Sequence, residues 1–180
     1  MLIEFEDFTA ISAAVQMYGG LMCFHNGELD NKYYKVAKEK PSPLSDQFDR
    51  KYFNAMVSMP DIPKLSTKAF LATEQRIPGL GNGVLQDILY KAQIHPKRKV
   101  ASLSHTDQDR LFISLKETLA EMTFNGGRDT EKDLFGCHGG YITCLSKNTL
   151  DKPCPICGGT IKKESYLGGS IYFCDGCQKI

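Results

Sequence analysis

Apolar positions change their spacing along this chain, and the changes divide it. Over residues 1–24 they alternate, with Leu2, Ile3 and Phe5 in LIEFED, then AISAAVQM over 10–17, then LMCF after Gly19-Gly20, which predicts short strands. Two or three strands make a poor sheet unless one face is covered and more strands join it. The expectation is therefore a partial β-sheet, with the chain opening in the middle of a domain. Residues 38–45 (KEKPSPLS) read as a linker whose two prolines exclude a helix. From Ser45 the period becomes helical. Phe48, Tyr52, Phe53 and Met56 form one apolar face, and Ser66 caps a helix carrying Phe70 and Leu71, with helix read from Lys68 to Gln75. Val84, Leu85, Ile88, Leu89 and Ala92 mark a third, and Ser104 with Asp107 approximates a capping box ahead of Leu111, Leu115, Leu119 and Met122. These four helices predict a small bundle. Residues 125–150 are loop-rich, with Gly-Gly pairs at 126–127 and 139–140.

The chain ends in Cys154-Pro155-Ile156-Cys157, sixteen residues, and Cys174-Asp175-Gly176-Cys177. Two Cys-x-x-Cys knuckles at this distance suit one tetrahedral zinc with four sulfur ligands, a closed and therefore structural site. Between them Thr160 to Leu167 and Ser170 to Phe173 read as strands joined by a tight turn at Gly168-Gly169. Too few apolar residues lie here to fold the segment unaided, whereas a structural zinc supplies on the order of 10 kcal/mol. Two disulfides are the alternative, disfavoured by the odd total of seven cysteines and by the lack of any secretory signal.

Composition adds less. Hydrophobic residues make up 42% and charged residues 24%, as in a globular chain, and no run approaches the roughly 20 apolar residues of a membrane span, so a cytoplasmic location is expected. The net charge of +1 hides local bias. Residues 91–99 hold Lys91, Lys97, Arg98 and Lys99 without an acid, and the stretch from Lys147 has five basic residues against three acidic. Beside a zinc ribbon, such clusters suggest a polyanion.

Between two of the helices lies Arg76-Ile77-Pro78-Gly79-Leu80-Gly81-Asn82-Gly83. Pro78 disfavours helix before it, Gly79 and Gly81 permit positive φ, and Asn82 can cap a helix starting at Val84. Such a turn leaves backbone N–H groups free at a helix N-terminus, where a phosphate binds. A tight interhelical turn without a ligand remains open on these residues alone. A dinucleotide site is excluded, because helix rather than strand precedes the glycines.

IPGLGNGVLQDILYKAQIHPKRK followed by CPICGG and YFCDGCQ resembles the helix-two-turn-helix and zinc-finger portion of the formamidopyrimidine-DNA glycosylase and endonuclease VIII family. PLSDQFDRKYF, GGRDTEKDLFG and VQMYGG resemble further family segments in the family's order. The resemblance implies an α+β fold: a partial β-sheet remnant over 1–40, a small helical bundle with the helix-two-turn-helix motif over 41–148, and a zinc ribbon over 149–180. It implies one structural Zn²⁺ on Cys154, Cys157, Cys174 and Cys177. It also implies DNA contacts from Asn82, at phosphate, and from Lys68 and Gly81, to which the basic pair Lys97 and Arg98 adds. Met17 resembles the methionine that fills the space of a flipped-out base, or is an ordinary core position at a strand end. Asp87 stands where the family often has Glu, and Gly169 where it commonly has a phosphate-gripping Arg.

The family's N-terminal proline nucleophile and adjacent catalytic Glu have no counterpart in Met1-Leu2-Ile3-Glu4, so no catalytic residue is assigned. The expected function is the DNA-binding portion of a base-excision DNA glycosylase and AP lyase, truncated and inactive alone. The alternative is a stand-alone, non-catalytic zinc-dependent DNA-binding protein. The expected partner is double-stranded DNA, damaged or abasic, bound by a monomer, nucleoid-associated if bacterial. A zinc ribbon that binds another protein would leave Asn82 and residues 97–99 idle. His25, His95, His105 and His138 read as loop or surface residues, Cys23, Cys137 and Cys144 as plain small residues. Arg128 points to DNA or pairs with Asp129 or Glu131.

Overall fold

The computed structural model describes residues 1–14, 21–25 and 28–180. Strands β1 (Leu2–Glu4) and β2 (Ala10–Ser12) pair antiparallel with Ile3 opposite Ile11, and every residue of both is exposed. Met17 lies outside the described residues.

Helix α1 (Lys32–Glu39) runs two residues into the stretch read as a linker, whose remainder, 40–45, is not helical. Asn31 caps it by accepting from the Tyr33 and Tyr34 N–H groups. Pro41 does not abolish the helix but ends it, since the residue before a proline is forced out of the helical region, and Lys40 is extended at ψ 145°.

The expected bundle forms. Helix α2 (Arg50–Val57) starts at Asp49, whose carboxylate accepts from Tyr52 N–H at 2.7 Å, and turns Phe53, Met56 and Val57 inward. Helix α3 (Thr67–Ala72) starts at Ser66, as the sequence predicts, but stops three residues short of Gln75. Arg76 folds back and donates to the Ala69 and Thr73 carbonyls, each at 3.1 Å. The Ala69 carbonyl also accepts from the Thr73 N–H and hydroxyl, so several donors gather on the end of the helix, while Glu74 and Gln75 take positive φ. Helix α4 (Asn82–Lys91) and helix α5 (His105–Phe124) follow, α5 with the full reciprocal capping box between Ser104 and Asp107. Short 3₁₀ turns at Ile62–Lys64 and Val100–Ser102 bridge the longer helices.

Phe48, Phe53, Phe70, Leu71, Ile77, Leu85, Ile88, Leu89, Ile94, Leu111 and Leu115 pack into one core. Phe53 sits between Phe70 and Phe112, with ring centroids 5.9 and 5.5 Å away. Each such buried ring contributes about 2 kcal/mol from area alone, and α4 is held in this core through Leu85, Ile88 and Leu89.

Strands β3 (Ile161–Tyr166) and β4 (Gly169–Cys174) form the ribbon, with Tyr166 opposite Gly169. The turn is one residue earlier than expected, at Leu167-Gly168, both with positive φ (48° and 71°), the geometry that follows the twist of paired strands. Gly169 is therefore the first residue of β4. Folding of α4 against β4 also corrects the reading of His95. It is 2% exposed, its Nδ1 accepting from Lys97 N–H while its ring meets Phe173 edge-on at 4.5 Å. The segment leaving α4 turns inward to join the ribbon, and burial holds this imidazole below its ordinary pKa.

Candidate functional site

The four ribbon cysteines converge. Their sulfurs all lie within 4.8 Å of one another, with Cys154 to Cys177 at 3.6 Å and Cys157 to Cys174 at 3.4 Å. A disulfide requires about 2.05 Å, whereas a tetrahedron with Zn–S of about 2.3 Å has sulfur edges of about 3.8 Å. The spacing therefore suits a metal ion. The surroundings fit too, because glycines leave room where side chains would intrude: a Cβ at Gly176 would stand 2.5 Å from Cys157 Sγ, and one at Gly159 3.4 Å from it. The Cys154 thiol is held down to about 6. Burial opposes ionisation there, but hydrogen bonds from the Tyr90 hydroxyl and from the N–H groups of Cys157 and Ile156 outweigh it.

The second centre is the glycine turn before α4. Gly79 has φ 76°, but Gly81 is extended at −104° and is itself the N-cap; Asn82 is the first helical residue rather than the cap. No side-chain hydrogen bond caps this end, and nothing lies within 4 Å of where a Cβ on Gly79 or Gly81 would stand. Val84 N–H donates to the Gly81 carbonyl at 3.2 Å, so the donors left at this end are the Asn82 and Gly83 N–H groups, with the positive end of the helix dipole behind them. Asn82 Nδ2 donates to the Ser170 carbonyl at 2.9 Å, while its buried Oδ1 has no partner among the described residues. Asn82 lines a pocket of about 150 Å³ with Gly83, Gln86, Arg128, Lys147 and Tyr172. Arg128 lies on Gly83, where a Cβ would collide with its guanidinium, and pairs with Glu131.

Lys68 and Gly169 join Asn82. The Lys68 side chain, on a residue 3% exposed, donates to the carbonyls of Tyr166 and Gly169 at the ribbon turn, and burial lowers its pKa. A Cβ on Gly169 would stand 3.3 Å from Asn82 Nδ2 and 3.5 Å from Lys68 Nζ. Glycine there lets the turn close over both. Lys97 and Arg98 are occupied differently: Lys97 pairs with Glu164 on β3, and Arg98 donates to Asp107 Oδ2 at 2.8 Å. Burial of Asp107 disfavours its charge, but Ser104, Arg110 and Arg98 together outweigh that and hold the carboxyl down at about 2.

Two sets of contacts made by α4 escape a reading by motif. Along α4, Asn82, Gln86 and Tyr90 stand four apart and so share one face. Gln86, 2% exposed, donates to the Ser170 carbonyl at 3.1 Å and accepts from Tyr172 N–H at 3.0 Å; Tyr90 O–H meets Cys154 Sγ at 3.0 Å. This polar stripe docks α4 onto the ribbon, and its four-residue spacing beside the apolar face was the available signal. Asp87, 1% exposed, accepts from the N–H groups of Cys144 and Leu145 at 2.9 and 2.8 Å, fixing the segment that leads into the ribbon. Burial raises its carboxyl pKa, with those two donors pulling the other way. Among the described residues no helix is long and apolar enough to cross a membrane.

Comparison with known proteins places this geometry. Residues 40–132 match the formamidopyrimidine-DNA glycosylase H2TH domain. A formamidopyrimidine-DNA glycosylase of Geotalea uraniireducens (strain Rf4) is 32% identical over 149 residues, covering 79% of this chain and 53% of that protein. The one from Wolbachia pipientis subsp. Culex pipiens (strain wPip) is 32% identical over 182 residues, covering 99% of this chain and 65% of its own length. The chain thus spans between about half and two thirds of these relatives. Among solved structures, the MutM (Fpg) protein of Thermus thermophilus superimposes with a TM-score of 0.67 at 28% identity, covering 77% of this chain and 53% of that one. Lactococcus lactis Fpg in complex with abasic-site DNA does so with a TM-score of 0.68 at 25% identity, covering 82% and 54%.

Proposed function

Since the chain belongs to the formamidopyrimidine-DNA glycosylase family, we propose that it provides the DNA-holding part of a base-excision DNA glycosylase and AP lyase, gripping duplex DNA at a damaged or abasic site. The observation that carries this reading is the uncapped N-terminus of α4, opening beside Asn82, with the Arg128 and Lys147 cations on the adjoining pocket. Oriented N–H donors, a helix dipole and nearby cations are what a phosphate needs, and phosphate contacts position a protein without reading sequence. The helical part over 41–148 and the ribbon over 149–180 act as one grip, with one zinc ion on the four cysteines. Zinc is favoured by four cysteine sulfurs within 4.8 Å of one another, a donor set that fills all four positions of a tetrahedral ion and so holds shape and activates no water. Among the described residues this grip gathers phosphate donors rather than a nucleophile paired with a base, so the reading assigns it to binding and not to base removal. Action on DNA would place the protein with the chromosome, in a bacterium the nucleoid.

Binding to a duplex carrying a tetrahydrofuran abasic analogue, followed by fluorescence anisotropy at two salt concentrations, tests the proposal. Affinity should fall steeply with salt as counterions are released. Asn82→Ala should weaken binding by about 1 kcal/mol, the worth of one phosphate hydrogen bond, regardless of sequence. An affinity indifferent to both salt and Asn82 would sink it. Borohydride trapping on abasic DNA adds a second readout: an efficient covalent adduct would show that these residues also carry chemistry.

A further inference from the structure

Tyr90 is 3% exposed, and its hydroxyl lies 3.0 Å from Cys154 Sγ. A buried phenol needs a hydrogen-bond partner, and the residues packed around this ring, Leu145, Ile161, Cys174 and the partly buried Tyr172, form an apolar cluster with Cys154. A metal-bound cysteine sulfur is a thiolate. It carries no proton to give, so the direction of this bond is settled once the metal is present: the phenol donates and the sulfur accepts.

We propose that Tyr90 is a positioning residue of the metal centre, its hydroxyl donating to the metal-bound Cys154 thiolate and tying the centre to α4. The inference rests on the reading that the four cysteines hold zinc. It goes beyond that reading in making a helix residue, 64 positions before the first of those cysteines and outside both knuckle loops, part of the metal's surroundings. A hydrogen bond to a coordinated sulfur draws negative charge from it, which lowers its attraction for protons and electrophiles and fixes its orientation toward the metal. The same helix face carries Gln86 and Asn82, both bonded to the Ser170 carbonyl. Along α4 the metal centre and the phosphate-facing N-terminus are therefore joined by one rigid element, through three side chains spaced four apart.

Tyr90→Phe removes the hydroxyl and keeps the ring that fills the cluster. In the full chain loaded with zinc, competition against a chromophoric chelator should show metal bound about tenfold to 100-fold less tightly, the usual effect of losing a partner to a metal ligand. With cobalt(II) in place of zinc, the sulfur-to-cobalt charge-transfer band should move to longer wavelength in Tyr90→Phe, because a sulfur lone pair without its hydrogen bond lies higher in energy. Loss of packing alone would not produce that shift. The wild-type chain offers a check independent of any variant. Loaded with cadmium-113, its Tyr90 hydroxyl proton should exchange slowly with water and be visible by NMR. Equal chelator competition with an unmoved cobalt band, or a hydroxyl proton lost to rapid exchange, overturns the proposal. A wild-type chain that takes up no zinc overturns the zinc reading together with it, whereas a zinc-loaded wild type matched by Tyr90→Phe overturns this inference alone.

Discussion

Asp87→Asn is expected to destabilise the protein although the side chain keeps its size. The wild-type carboxylate, 1% exposed, accepts from two backbone N–H groups, Cys144 at 2.9 Å and Leu145 at 2.8 Å. An amide has one oxygen acceptor, so one of these bonds survives in neutral form and the other N–H faces an NH₂ donor. Loss of a hydrogen bond to a charged group costs about 1.5–3 kcal/mol, and a buried donor left without a partner adds about 1–3 kcal/mol. Against this stands the relief of a buried charge, whose burden is evident in the raised pKa of Asp87. The balance is about 2 kcal/mol. For a urea slope of about 2 kcal/mol per molar, the midpoint should fall by about 1 M without a change of slope. The assay is urea unfolding at about pH 8, followed by circular dichroism. A midpoint within about 0.2 M of wild type would refute the reasoning, because relief of the charge would then offset both bonds, and Asp87 would not be what holds residues 144–145 to α4.

Asp107 predicts an acid-sensitive helix start. Its folded pKa of about 2 lies below the ordinary value near 3.9, so the stability it adds is present above about pH 4 and lost as pH falls from there through 2, up to about 2.5 kcal/mol. Asp107→Asn should flatten thermal stability across that window, and an unchanged pH profile would contradict the assignment. Gly176→Ala places a Cβ 2.5 Å from Cys157 Sγ and should weaken metal binding roughly tenfold or more, measured as zinc retained after dialysis against a chelator; full retention would show that the knuckle adapts. Lys68→Met removes the buried amine from the Tyr166 and Gly169 carbonyls, so amide exchange around the Leu167-Gly168 turn should quicken about tenfold or more. Exchange equal to wild type would mean that the turn needs no support from α3.

Local chemistry was readable from the chain itself. Ser66 and the Ser104–Asp107 box announce helix starts because capping is decided within four residues, and the apolar periods of α2, α4 and α5 name the faces that became the core. Two Cys-x-x-Cys knuckles bring four sulfurs together for the same reason, since each pair is set by its own short loop. What sequence could not weigh were groups whose roles depend on partners far along the chain. Nothing local distinguishes His95 from an exposed loop histidine until Phe173 packs against it. Lys68 and Lys97 look like free cations until the ribbon supplies the carbonyls and the Glu164 carboxylate that occupy them, and Arg98 until Asp107 does so. Long polar side chains satisfy their hydrogen bonds wherever the folded surfaces meet. Tyr90 becomes a neighbour of the metal centre because α4 docks on β4; its spacing from Asn82 and Gln86 marks a polar stripe, but the partner 64 residues on is set only by the fold.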